Sequence, residues 1–112
     1  MEDNKTLFVA LLLFSTLLGS LGQLSFKIGV DSQSTFNMAA FIFGGIVAYG
    51  SATLIYLYIL GRSHLSWAYG FVGFSYIFTT ILAFFVLGES VGLGRWIGVI
   101  VIAIGTALIG MS

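Results

Sequence analysis

The stretch from Thr6 to Phe26, TLFVALLLFSTLLGSLGQLSF, contains no charged residue. A helix that crosses the hydrocarbon of a bilayer needs about 20 predominantly apolar residues in a row. Three more stretches behave alike: Ser32 to Gly61, Ser63 to Gly88 apart from the titratable His64, and Trp96 to Ser112. The charges between them predict four helices, at roughly 6–29, 35–60, 66–87 and 93–111, joined by short links. Links this short make successive helices antiparallel neighbours. Alternation at period two is absent, which argues against a membrane β-barrel. The expected fold class is all-α: one four-helix transmembrane domain over residues 1–112, multi-pass in the inner or plasma membrane.

Composition agrees. Of the 112 residues, 59% are hydrophobic and 7% charged, against about 45–50% and 25% in a soluble domain. Four Lys+Arg balance four Asp+Glu. Nucleic acid is therefore excluded as a partner, because neutralising phosphates needs clustered cations. There is no Cys and one His, so neither a metal nor any other cofactor is expected. The opening residues Met1 to Lys5 are acidic overall, and the apolar run after them is long. Both features argue against a cleaved signal peptide, despite the small residues around Ser20-Leu21-Gly22.

Four spans place Lys5, Arg62 and His64 on one side of the membrane and Lys27 and Arg95 on the other. Two Lys/Arg against two leaves no excess to fix orientation. Two arrangements stay open: insertion both ways round as an antiparallel dimer, or one orientation set by a partner subunit.

Polar side chains within lipid must face protein, water or substrate. Thr16, Gly19, Ser20, Gln23 and Lys27 share one face of the first helix by their spacing. Tyr49, Thr53 and Tyr56 share a face of the second, and Tyr69, Gly73, Tyr76 and Thr80 one of the third. Three polar stripes predict a common central cavity, with Gln23, Lys27, Tyr49, Tyr69 and Tyr76 as candidate substrate-binding residues. Thr16, Ser20, Thr53 and Thr80 are expected to return their hydroxyls to the helix backbone, and Tyr56 to anchor at the interface. Lys27 either serves the site or snorkels to the headgroups. It also has Asp31 four residues on.

Ala40, Gly44, Ala48 and Ala52 form a ridge suited to close helix approach. Gly94, Gly98 and Gly105 make the last helix a candidate packing or dimerisation surface. No nucleophile–base pair and no phosphate-loop pattern is present, so an enzyme is not expected. His64 fits an interfacial position, and Glu89 fits the positive start of the last helix.

Three tracts together resemble the small four-helix, EamA-like members of the drug/metabolite transporter superfamily. They are Gly22-Gln23-Leu24-Ser25-Phe26-Lys27, then Leu65-Ser66-Trp67-Ala68-Tyr69, then Leu87-Gly88-Glu89-Ser90 followed by Gly94-Arg95-Trp96-Ile97-Gly98. The small multidrug exporters of that superfamily carry a Glu eight residues before the helix-end Lys and a Trp three residues after the helix-three Tyr. Those positions are Gly19 and Val72 here. The Gly-Gln…Lys tract is instead similar to the subunits that flip aminoarabinose-phosphoundecaprenol, with Gly70 and Ser90 standing where such relatives carry Pro. The resemblance implies a transporter that moves a polar or lipid-linked substrate of the polyprenyl-phosphate sugar type by alternating access. Four helices enclose little space, so a second protomer is expected to complete the cavity, as a homodimer or as a heterodimer with a similar small subunit. The alternatives are a proton-coupled exporter of small cations and a non-transporting accessory subunit. In the flippase reading Lys27 holds a phosphate as a point charge. Gln23 bonds phosphate or sugar oxygens, and the tyrosines stack on sugar faces.

Overall fold

The computed structural model describes the backbone of residues 2–112 and side chains from residue 5 onward. The elements are α1 (Glu2–Val30), α2 (Thr35–Leu60), α3 (Leu65–Gly70), α4 (Val72–Val86) and α5 (Leu93–Met111). Four helical stretches, with α3 and α4 forming one, are long and apolar enough to cross a bilayer. The protein is an all-helical, multi-pass membrane protein. α1 begins earlier than its uncharged run, because hydropathy bounds the span and not the helix. Ser34 caps α2, its side chain accepting from the Asn37 N–H. Gly88 adopts φ +68, a left-handed conformation natural to glycine. It turns the chain so that the Glu89 N–H donates to the Ala83 carbonyl at 3.1 Å.

The third span is broken, where the sequence predicts one helix over 66–87. At Phe71 the ladder tightens to i→i+3 bonds: Phe71 N–H donates to Ala68 O at 3.2 Å, and Phe74 N–H to Phe71 O at 3.0 Å. Tertiary packing holds the break. A Cβ at Gly70 would lie 2.7 Å from Ile109 Cγ2, and the Phe71 ring is buried against Gly110.

The molecule is inside out relative to a soluble domain. Ser15, Thr16, Ser20, Thr80 and Thr106 are buried, while the outer surface carries exposed Phe36, Phe43, Leu54, Phe85 and Ile104. Lipid solvates that surface, and the hydroxyls are satisfied inside. The small apolar core of Phe8, Leu12, Ile59 and Phe71 sits toward one end.

α1 is the centre of the assembly. α2 packs along one side of it, α4 along another, and α5 lies beyond α3 and α4. The extents are 49 × 33 × 17 Å, a slab less than two helix diameters thick. The seam between α1 and α2 is made by glycines. A Cβ at Gly22 would stand 3.1 Å from Gly45 O, and one at Gly45 would stand 2.6 Å from the Phe26 ring. Ser15 Oγ donates to Ala52 O at 2.8 Å, and Ser25 Oγ to Phe41 O at 2.5 Å. Such small-residue contacts with interhelical hydrogen bonds are how membrane helices associate. From the predicted ridge, Ala52 is buried in the seam, but Gly44 is exposed and the close approach runs through its neighbour Gly45. On α5, a Cβ at Gly94, Gly98 or Gly105 would meet nothing within 4 Å. Among the described residues, no other helix therefore approaches the Cα–Hα face of these glycines on which a side chain would stand.

Candidate functional site

α2 and α4 both rest on α1 without packing extensively on one another. The space between them is a groove of about 420 Å³, open at the side and floored by α1. Ser15, Thr16 and Gly19 of α1 form the floor. Tyr49, Ala52, Thr53 and Tyr56 of α2 form one wall; Tyr69, Val72 and Ser75 form the other. The polar stripes therefore line a lateral groove rather than an enclosed central cavity, because α5 packs outside α4 and closes nothing against α2.

The groove's aliphatic hydroxyls are committed to the backbone. Ser15 donates to Ala52 O, Thr16 Oγ1 to Leu13 O at 2.8 Å, Thr53 Oγ1 to Tyr49 O at 2.9 Å, and Ser75 Oγ to Thr16 O at 3.4 Å. Ser20, fully buried beneath the groove, has its Oγ 2.9 Å from the carbonyls of both Thr16 and Ser75, tying α1 to α4. Thr80 also returns its hydroxyl to its own helix, at Tyr76 O.

Of the predicted site residues, Tyr49 and Tyr69 meet in this groove, with 47% and 62% of their surface open. Gln23 does not line it. It is exposed one helical turn beyond Gly19, on the continuation of the same face of α1. Lys27 lies a further turn along, paired with Asp31 at 3.1 Å on the exposed link to α2. Tyr76, one turn past Val72, is exposed and outside the groove.

Tyr56 corrects the sequence expectation. It is not an interfacial anchor: its ring lines the groove and its hydroxyl is buried with no hydrogen-bond partner. Position near a helix end pointed to the interface, but the side chain packs against the buried cluster of Phe8, Leu12, Ile59 and Phe71. A buried donor left unsatisfied costs about 1–3 kcal/mol. Tyr56→Phe is therefore expected to leave stability unchanged or raise it by about 1 kcal/mol, as read from unfolding in detergent without ligand.

A second cleft, of about 720 Å³, opens at the end of the molecule where Lys5, His64, Ser66 and Trp67 meet the end of α5. Its floor is the carbonyl end of α5, and it stands outside the hydroxyl-lined middle of the spans.

Comparison with known proteins agrees with this architecture. The chain is 31% identical over 109 residues to the probable 4-amino-4-deoxy-L-arabinose-phosphoundecaprenol flippase subunit ArnE of Pseudomonas fluorescens (strain Pf0-1), covering 91% of this chain and 96% of that protein. It is 30% identical over 100 residues to the protein of the same name from Enterobacter sp. (strain 638), covering 89% and 94%. No family model matches the chain, and no solved structure does. Nearly full coverage on both sides, with four spans in order and the Gly22-Gln23…Lys27 tract at the end of the first, places the chain in the flippase-subunit family that these two proteins represent, a small four-helix branch of the drug/metabolite transporter superfamily.

Proposed function

We propose that this chain is one subunit of a flippase that carries a polyprenyl-phosphate sugar across the inner membrane by alternating access within a dimer. It is a transporter and not an enzyme. The observation that carries this reading is the groove on α1, which brings hydroxyls and tyrosine faces together among the spans and opens at its side. A lipid-linked sugar has parts for each environment: a polar headgroup for the groove and an isoprenoid tail that stays among acyl chains. An accessory scaffold has no use for such a groove. A proton-coupled cation exporter needs a membrane carboxylate, and Gly19 stands on the groove floor instead.

The dimer is supported by two features. The slab is too thin to enclose a cargo alone, and among the described residues nothing lies within 4 Å of where a Cβ would stand at Gly94, Gly98 or Gly105 on α5. The partner is a second copy or a similar small subunit.

Gln23 and Lys27 extend the groove's face toward one membrane surface. The Lys27–Asp31 pair does not prevent Lys27 from taking a phosphate. Both side chains are at least half exposed, and an exposed pair is worth about 0–1 kcal/mol. A charge-assisted phosphate contact is worth about 1.5–3 kcal/mol. Lys27→Ala and Gln23→Ala are each expected to slow translocation about tenfold or more. The readout is uptake of a radiolabelled, short-chain polyprenyl-phosphate hexose into proteoliposomes, with helix content checked by circular dichroism. Full rates in both variants remove the phosphate site.

A further inference from the structure

The geometry points to an uncharged, hydroxyl-rich glycosyl group as the occupant of the groove, in contrast to the amino sugar in the names of the relatives. This rests on the flippase reading and narrows its substrate. The first observation is hydrogen-bond polarity. Ser15, Thr16, Thr53 and Ser75 all spend their single proton on a backbone carbonyl. Each then presents only oxygen lone pairs to the groove. A ligand that meets those oxygens donates to them, which a sugar hydroxyl or an ammonium does and a phosphate or carboxylate does not. Only phenol O–H groups remain as donors, and no cation lines the groove.

The second observation is the placement of acids. No Asp or Glu occurs between residues 4 and 30 or between 32 and 88. Asp31 is paired with Lys27 on a link between helices, and Glu89 follows the end of α4. An ammonium drawn to mid-span thus finds no counter-charge. The faces of Tyr49 and Tyr69 offer a cation–π contact, but that returns only part of the cost of stripping water from an ion in a membrane interior. For a neutral sugar the same open rings are flat apolar platforms, and the acceptor-lined floor takes its hydroxyls. Donor polarity thus turns away an acidic sugar, and the lack of a counter-charge turns away an amino sugar, which leaves a neutral one.

The test compares three radiolabelled, short-chain polyprenyl phosphates in proteoliposomes of the full chain. One carries glucose, one 4-amino-4-deoxyarabinose and one glucuronate. The glucose compound is expected to enter about tenfold faster than either charged sugar. Thr53→Asp, which adds a carboxylate to the groove wall, is expected to reverse the preference toward the amino sugar. Should Thr53→Asp fail to fold, the wild-type comparison decides alone. Equal or faster entry of the amino sugar or of glucuronate into wild-type vesicles overturns the inference and leaves the flippase reading standing. Entry of all three at the rate of protein-free vesicles overturns the flippase reading itself.

Discussion

Gly45→Leu is expected to force α1 and α2 apart and to lower the unfolding free energy by about 3 kcal/mol, the upper end of the usual cost of overpacking. The size of the effect follows from what the new side chain would strike. Its Cβ would stand 2.6 Å from the Phe26 ring and 2.9 Å from the carbonyl oxygen of Gly22. A ring can turn aside, but the backbone of α1 moves only with the whole helix. Moving it also breaks the Ser15–Ala52 and Ser25–Phe41 hydrogen bonds, which need the same separation. Lipid offers no hydrophobic force to restore the pair, because acyl chains solvate leucine as well as protein does. Gly50→Leu is the control. A Cβ at Gly50 meets nothing within 4 Å, and that variant is expected to unfold in detergent within about 0.5 kcal/mol of wild type. Equal stability of the Gly45 and Gly50 variants would remove the seam as the determinant of the fold.

Gly19→Leu is expected to stop translocation while the helices stay assembled. Gly19 sits on the groove floor, and a Cβ there would meet only Ala52 Cβ, at the ordinary contact distance of 3.8 Å. A methyl group is therefore accommodated, and Gly19→Ala is expected to transport near the wild-type rate. A leucine extends beyond that Cβ into the groove that Gly19 and Ala52 both line. Loss of transport is expected to reach about a hundredfold, the equivalent of roughly 3 kcal/mol in barrier height. Vesicle uptake measures the loss, and size-exclusion profiles with circular dichroism check assembly. Wild-type transport by Gly19→Leu would mean that substrate passes elsewhere.

The spans were legible because hydropathy and charge act over 20 residues and tolerate local error. α1 runs past Lys27 to Val30 and α5 begins before Arg95, whereas the back-bonded hydroxyls of Thr16, Ser20, Thr53 and Thr80 follow from local chemistry alone. What needed coordinates was everything decided by which face meets which. α2 is apolar nearly all round, so a four-residue spacing of small residues did not distinguish Gly44 from Gly45. The contact with α1 did. The break at Phe71 follows Gly70, a weak helix former, and the close approach of Ile109 to Gly70 across the fold is visible only in the coordinates. Tyr56 looked like an anchor by its distance from a helix end; its hydroxyl is buried because other helices cover it. Polar stripes indicated a shared site but not its shape, since closure depends on where α5 packs.

The side opening of the groove bears on the energetics of moving a tethered cargo. Pulling an isoprenoid tail into water costs about 0.8 kcal/mol for each methylene-sized unit exposed, a prohibitive sum for a long chain. On the flippase reading proposed above, a groove open at its side would take the sugar while the tail stays in oil. The remaining work would then be confined to the head, which would exchange water for the hydroxyls and rings that line the groove.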